Sequence, residues 1–227
     1  MVSYDLSKEV SDKYSLQGRV FHKIREDILN GKYKTGDSIK EIVVSKELGV
    51  SRTPVREALK QLELEGLVIS IPNKGAVVAG ITEQDIMDIY IIRSLIEGLA
   101  ARWAAAHITD EQLKRLEEII ELTEFYAGKH DVEHLHELDT QFHEIIYEAS
   151  NSRPLKHILS DFHIYVQRAR MESIAMPGRD LKSTQEHKAI LKALKDRNPE
   201  EAERLTNQHV RNVTENMMKH LKKADRI

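Results

Sequence analysis

The chain has 227 residues, 41% of them hydrophobic, with 34 Lys+Arg against 37 Asp+Glu and no cysteine. Without cysteine there is no disulfide framework, no thiolate metal site and no cysteine nucleophile. The net charge of −3 speaks against nucleic-acid binding only as an average, because the first 78 residues carry a small basic excess and the remainder an acidic one. The length accommodates two modest domains. No apolar run approaches the roughly 18 residues of a membrane-spanning helix, since Asp88, Arg93, Glu97 and Arg102 interrupt the most apolar stretch. The segment before Ser15 is polar and mixed in charge, unlike a signal peptide, so a cytoplasmic protein without membrane contact is expected.

Residues 1–14 show no sustained period and are expected to be a mobile arm. From Ser15 onward, Val20, Ile24, Ile28 and Leu29 form an apolar stripe that Asn30-Gly31 ends, which predicts a first helix. After a loop at 33–37, a short second helix is expected over 39–48 with Ile42, Val43 and Leu48 facing inward. Gly49 supplies a turn, and Ser51-Arg52-Thr53-Pro54-Val55-Arg56 opens a basic third helix that runs to about Leu64. Thr53 is placed to cap it and Pro54 to take its first position, where a missing N–H costs nothing. Val55, Ala58, Leu59 and Leu62 share one face while Arg52, Arg56 and Lys60 fall elsewhere, so one side can be buried and the other offered to phosphates or base edges. Leu67 to Ile71 and Ala76-Val77-Val78 read as strands around the turn Pro72-Asn73-Lys74-Gly75. Helix, helix, turn, helix, hairpin is the order of a winged helix-turn-helix, whose post-turn helix enters the major groove. This defines an expected DNA-binding domain over 1–78.

Residues 79–227 are expected to be all helical, which makes the chain mainly α. Thr82 is a plausible cap, Thr109-Asp110-Glu111-Gln112 starts a second helix, Gly128, Asn151 to Pro154, Pro177-Gly178 and Asn198-Pro199 are breaks, and six helices with short loops imply an antiparallel bundle. Asp139 and His143 are four apart and share a helical face, with Cβ atoms roughly 6 Å apart. His187 and His209 lie on the fifth and sixth helices. Three imidazoles and a carboxylate suit Zn, Ni, Mn or Fe, but spacing alone does not select them from 11 histidines. Arg93 sits in an apolar surround and needs a partner, which Glu97 four residues on could supply.

The ordered set Leu48-Gly49-Val50-Ser51-Arg52-Thr53-Pro54-Val55-Arg56-Glu57-Ala58-Leu59, then Glu65-Gly66-Leu67-Val68 and Pro72-Asn73-Lys74-Gly75, resembles the signature of GntR-family bacterial transcription regulators. The resemblance implies DNA contact by Ser51, Arg52, Thr53 and Arg56 and by the wing at Gly75, with Lys74 a further candidate. Ile42 stands where some members carry a DNA-contacting arginine. Asp139-Thr140-Gln141-Phe142-His143, Glu186-His187-Lys188-Ala189-Ile190 and His209-Val210-Arg211-Asn212 resemble the metal-containing branch of the FadR-type ligand-sensing (FCD) domain. That implies a metal, Zn first, on Asp139, His143, His187 and His209. It also implies a small carboxylate effector near Arg93, with Arg168 and Asn212 as further cavity candidates. His134, His136, His157 and His163 have no such match and read as surface or core. The expected protein is a homodimeric regulator of operator DNA, a repressor by analogy, and not an enzyme. The alternatives are a metal-dependent enzyme of the bundle and a DNA-binding dimer whose metal is purely structural.

Overall fold

A computed structural model describes residues 15–72, 74–176 and 178–224. The expected mobile arm, Asn73 of the wing turn and Pro177 of the later break lie outside the described residues. Two compact units divide between Thr82 and Glu83.

The first unit contains α1 (Leu16–Leu29), β1 (Ser38–Ile39), α2 (Glu41–Glu47), α3 (Arg52–Leu64), β2 (Val68–Ile71) and β3 (Gly75–Val78). Ser15 caps α1 by accepting from the Gly18 N–H at 3.2 Å, satisfying one of the orphan donors of a helix start. The buried stripe of α1, Val20, Ile24 and Ile28, and that of α3, Val55, Ala58, Leu59 and Leu62, pack together. Removing one such side chain, as in Leu62→Ala, costs about 2–5 kcal/mol. The strands form an antiparallel sheet in the order β1-β3-β2.

Three local expectations need correction. Ile39 pairs with Ala76 across β1 and β3 and is not helical, because ladder pairing of this buried residue outweighs its place in an apolar run. Starting α2 at Glu41 then turns Val44 and Leu48 inward and leaves Ile42 and Val43 about half exposed. In α3 the N-cap is Ser51 rather than Thr53, with φ −70° and ψ 167° in the extended range, so Pro54 is the third helical residue. A proline is tolerated there because the first-turn N–H groups have no intrahelical acceptor.

The second unit contains α4 (Glu83–His107), α5 (Asp110–Ala127), α6 (Val132–Ala149), α7 (Arg153–Tyr165), α8 (Gln167–Ile174), α9 (Arg179–Lys195) and α10 (Pro199–Ala224). The expected fourth helix is divided at Val166, which is fully buried with φ −98° and ψ 11°. Seven helical segments therefore build the bundle where six were expected. Thr109 and Gln112 close a reciprocal capping box at the start of α5. The core joins Ala101, Ala104, Ile108, Leu116, Phe142, Ile146, Ile190 and Leu194. The two longest helices, α4 and α10, pack along each other, and Gly98 on α4 donates its N–H to Asn207 Oδ1 on α10 at 3.0 Å. Among the described residues no helix is long and apolar enough to cross a membrane.

Candidate functional sites

In the first unit a groove of about 770 Å³ runs between α3 and the hairpin, lined by Glu41, Arg52, Arg56, Lys60, Lys74 and Gly75 among others. The fold brings these groups together by two ties. Glu63 near the end of α3 accepts from the N–H and hydroxyl of Ser70 at 2.8 Å each, and Ser38 on β1 donates to the Lys74 carbonyl at 2.8 Å. The wing is thus held to the helix and to the sheet edge. Gly75 has φ +80°, a region in which side-chain-bearing residues are strained. Ser51 and Thr53 are exposed at the start of α3. Arg52 and Arg56 are both more than half exposed yet share one acceptor, the Glu41 carboxylate. Their hydrogen bonds hold that carboxyl below its ordinary range, the bond from Arg56 first.

In the second unit Asp139, His143, His187 and His209 converge from α6, α9 and α10, with one potential ligand atom each lying within 4.8 Å of all the others. The Nε2 atoms of His143 and His187 are 3.9 and 3.5 Å from Asp139 Oδ1. His209 Nδ1 is 2.7 Å from Glu186 Oε2, which orients the ring and leaves Nε2 as its remaining donor atom. His143 Nδ1 lies 3.2 Å from the buried Glu97 carboxylate, though without hydrogen-bond alignment. Carboxylates behind imidazoles are the usual outer support of a metal-ligating histidine.

The electrostatics suit a metal. Burial pushes the His187 and His209 pKa values down, which favours the neutral, ligating form. Burial alone would raise Asp139, but the Arg170 guanidinium and the imidazoles hold it well below the usual range. Arg170 donates directly to Asp139 Oδ2. His187 Nε2 is buried without a hydrogen-bond partner, a costly condition that an ion at the centre would relieve. The donor set fits a divalent transition metal. The overlapping trio Glu97, His143 and His163 fits less well, because the Arg93 guanidinium and Tyr147 hydroxyl already occupy His163 Nε2 at 2.9 and 2.7 Å.

Arg93 is buried and pairs with Glu97 at 2.5 Å, so the internal ion pair is formed. It also lines a cavity of about 30 Å³ beside the cluster, together with Asp139, His143, Arg170, Arg179 and His209. Its Nη1 and the Nη1 of Arg179 are buried without partners. Arg168 is not among the lining residues; it is exposed and pairs with Glu172 at 3.1 Å. Asn212 is also outside the lining and donates to Glu186 at 2.8 Å. Sequence reasoning missed Arg170, Arg179 and His163, whose charge or polarity on mixed helices resembles that of surface groups. Burial was the missing signal.

A tri-helical core with a β wing and cations facing its groove defines a DNA-binding protein of the winged helix-turn-helix class, here carrying an all-helical second unit. Residues 16–78 match the bacterial regulatory proteins of the gntR family and residues 88–212 match the FCD domain. The chain belongs to the GntR family of bacterial transcription regulators, in its FCD-containing FadR branch. It is 31% identical over 208 residues to the uncharacterized HTH-type transcriptional regulator YdhC of Bacillus subtilis, covering 91% of this chain and 90% of that one. It is 27% identical to the HTH-type transcriptional repressor RspR of Escherichia coli, covering 88% and 87%. With the gluconate operon transcriptional repressor of Bacillus subtilis it shares 31% identity, covering 70% and 68%. The fold is shared with the solved structure of E. coli McbR/YncC, at TM-score 0.74 and 21% identity, covering 92% of this chain and 99% of that one. These domains and relatives are regulators rather than enzymes, and the chain is a DNA-binding regulator with a metabolite-sensing domain.

Proposed function

We propose that this regulator is a homodimeric repressor in the cytoplasm that leaves its operator when a small carboxylate binds beside a metal in the second unit. The convergence of Asp139, His143, His187 and His209 is the observation that carries this reading. Three imidazole nitrogens and one carboxylate favour zinc, with Ni, Mn or Fe as the other candidates. A bound ion would supply a positive centre for an anionic effector. Arg93 and Arg179 would hold the effector's carboxylate, because each keeps a buried N–H without a partner. Arg179 takes the place expected for Arg168, and Asn212 acts only through Glu186.

On the output side we assign DNA contact to Ser51, Arg52, Thr53, Arg56, Lys74 and Gly75, with domains divided at 78/79. Two copies would set paired α3 helices on two half-sites. The exposed apolar side chains Ile91, Ile92 and Leu95 on α4, with Ile158 on the neighbouring α7, form the surface offered to a second copy. Effector binding would shift the population of dimer geometries and so the fit to DNA.

The small cavity favours a second reading. About 30 Å³ accommodates a water-sized species but no metabolite, so the ion could instead serve only to lock α6 to α9 and α10. The double variant His187→Ala/His209→Ala separates these readings when compared with the parent protein. Loss of metal by elemental analysis, together with loss of carboxylate-induced release from DNA, supports the sensor. Loss of metal with release unchanged supports the structural role, and full metal occupancy overturns the assignment of the site.

A further inference from the structure

A groove of about 520 Å³ lies between α6 and the α7–α8 segment. It shares only Arg170 with the cavity of the histidine cluster. One wall carries His163, which is 3% exposed. Its Nε2 faces Arg93 Nη2 at 2.9 Å, and a guanidinium can only donate. Nε2 is therefore the acceptor, which puts the proton of the neutral ring on Nδ1. That Nδ1 is buried and has no partner. Ser160 Oγ and His136 Nε2, from residues lining the same groove, are likewise buried and unpartnered. Three polar atoms without partners along one groove are more than ordinary packing leaves, and they call for a ligand rich in oxygen acceptors.

The exposed rim of α6 has the opposite character. Glu133 and Glu137 are exposed there and Glu144 is half-buried, so its mouth attracts cations. Ile164 and Met171 add apolar wall to the same groove. We propose that this groove is a second ligand site, for a small zwitterion of the ω-amino acid class. Its carboxylate meets the His163 Nδ1–H, the Ser160 hydroxyl and Arg170, its methylenes lie on Ile164 and Met171, and its ammonium meets the glutamates. Because Arg170 also holds Asp139, occupancy of the groove bears on a side chain of the cluster.

The test titrates the full chain with ε-aminocaproate by calorimetry, with hexanoate as the comparison lacking the ammonium. A saturable site that survives removal of metal by a chelator is expected, with hexanoate roughly fivefold or more weaker there. Each of two variants, Ser160→Ala and the double Glu133→Gln/Glu137→Gln, should weaken binding by about threefold or more, the least expected from one lost hydrogen bond or two exposed ion pairs. Circular dichroism checks that both are folded, and their positions at a groove wall and on the surface keep them independent. Chelation of the parent, which strips metal from the histidine cluster, should leave this binding unchanged. Absence of saturable binding, equal binding of hexanoate, or loss of binding on chelation with the groove variants unaffected would overturn the proposal.

Discussion

Glu41 Oε1 accepts from Arg56 Nε at 2.8 Å, while its Oε2 accepts from Arg56 Nη2 at 2.8 Å and from Arg52 Nη2 at 3.2 Å. Two exposed guanidinium groups thus share one counter-charge at the groove that would face DNA. The bidentate geometry fixes the plane of Arg56, and the carboxylate cancels part of the charge available to any phosphate. Glu41→Gln removes that charge at nearly constant shape. Affinity for a duplex of unrelated sequence should then rise severalfold, and the slope of log affinity against log salt should steepen by about 0.9, the value of one more phosphate neutralised. Anisotropy titrations across a salt series measure both, and an unchanged slope would show that the pair does not compete with DNA. A second residue-scale prediction concerns His134, whose ring Nδ1 lies 2.8 Å from Asp131 Oδ2 and stacks on Tyr126 at 4.3 Å. The hydrogen bond to Asp131 raises the His134 pKa above its ordinary value. A raised imidazole stabilises the fold fully below its unfolded pKa of about 6.5, and the contribution is lost as pH rises through the folded value. In an NMR titration His134 should protonate above about 6.5, and Asp131→Asn should return it towards that value. Because Asn also caps a helix, that variant should lose stability below this window and keep it above.

At the scale of elements, the contact between α4 and α10 depends on a residue with no side chain. A Cβ at Gly98 would come within 2.2 Å of Asn207 Oδ1 and 2.4 Å of its Cγ. Gly98→Ala must therefore displace Asn207 and break the bond from the Gly98 N–H, at a cost of about 1–3 kcal/mol. Chemical denaturation of Gly98→Ala, Asn207→Ala and the double variant should show strong coupling, with the double variant less destabilised than the sum of the singles. Simple additivity would mean that the two helices part without resistance. This contact was not legible in the sequence, since an isolated glycine in an apolar helix has no period of its own. What was legible followed from local rules: the helical face of Val55, Leu59 and Leu62, the turn at Gly49, the helix start at Thr109 and the four-residue spacing of Asp139 and His143. The two-residue β1 was not, because a strand that short has no alternation to read. Arg168 and Arg170 show the same limit. Two residues apart on a helix they face roughly opposite ways, and the break at Val166 resets the phase of α8, so sequence pattern could not decide which arginine turns inward. His187 and His209 meet Asp139 only through the packing of α9 and α10, and it was likeness to a known domain, not spacing, that singled them out.

At the scale of the whole chain, all four candidate ligands belong to the second unit, from Glu83 onward. The first unit has its own buried core, drawn from α1, α3 and the sheet. An ion that binds only the folded second unit stabilises that unit by mass action, by about 2.7 kcal/mol at a free concentration one hundred times its dissociation constant. For a unit of this size such a gain corresponds to a rise of roughly 5–10 °C in melting temperature. Calorimetry of the metal-loaded chain should resolve two transitions, and a chelator should lower one of them while leaving the other in place. The transition that moves should be the one shifted by Gly98→Ala, and the fixed one should respond to Leu62→Ala in the first unit. Zinc added back should restore the original profile in the parent chain and fail to do so in His187→Ala/His209→Ala. A single transition moved as a whole by the chelator would mean that metal binding is coupled to the stability of the DNA-binding unit itself, and a chelator without effect on either would remove the metal from the account of this protein.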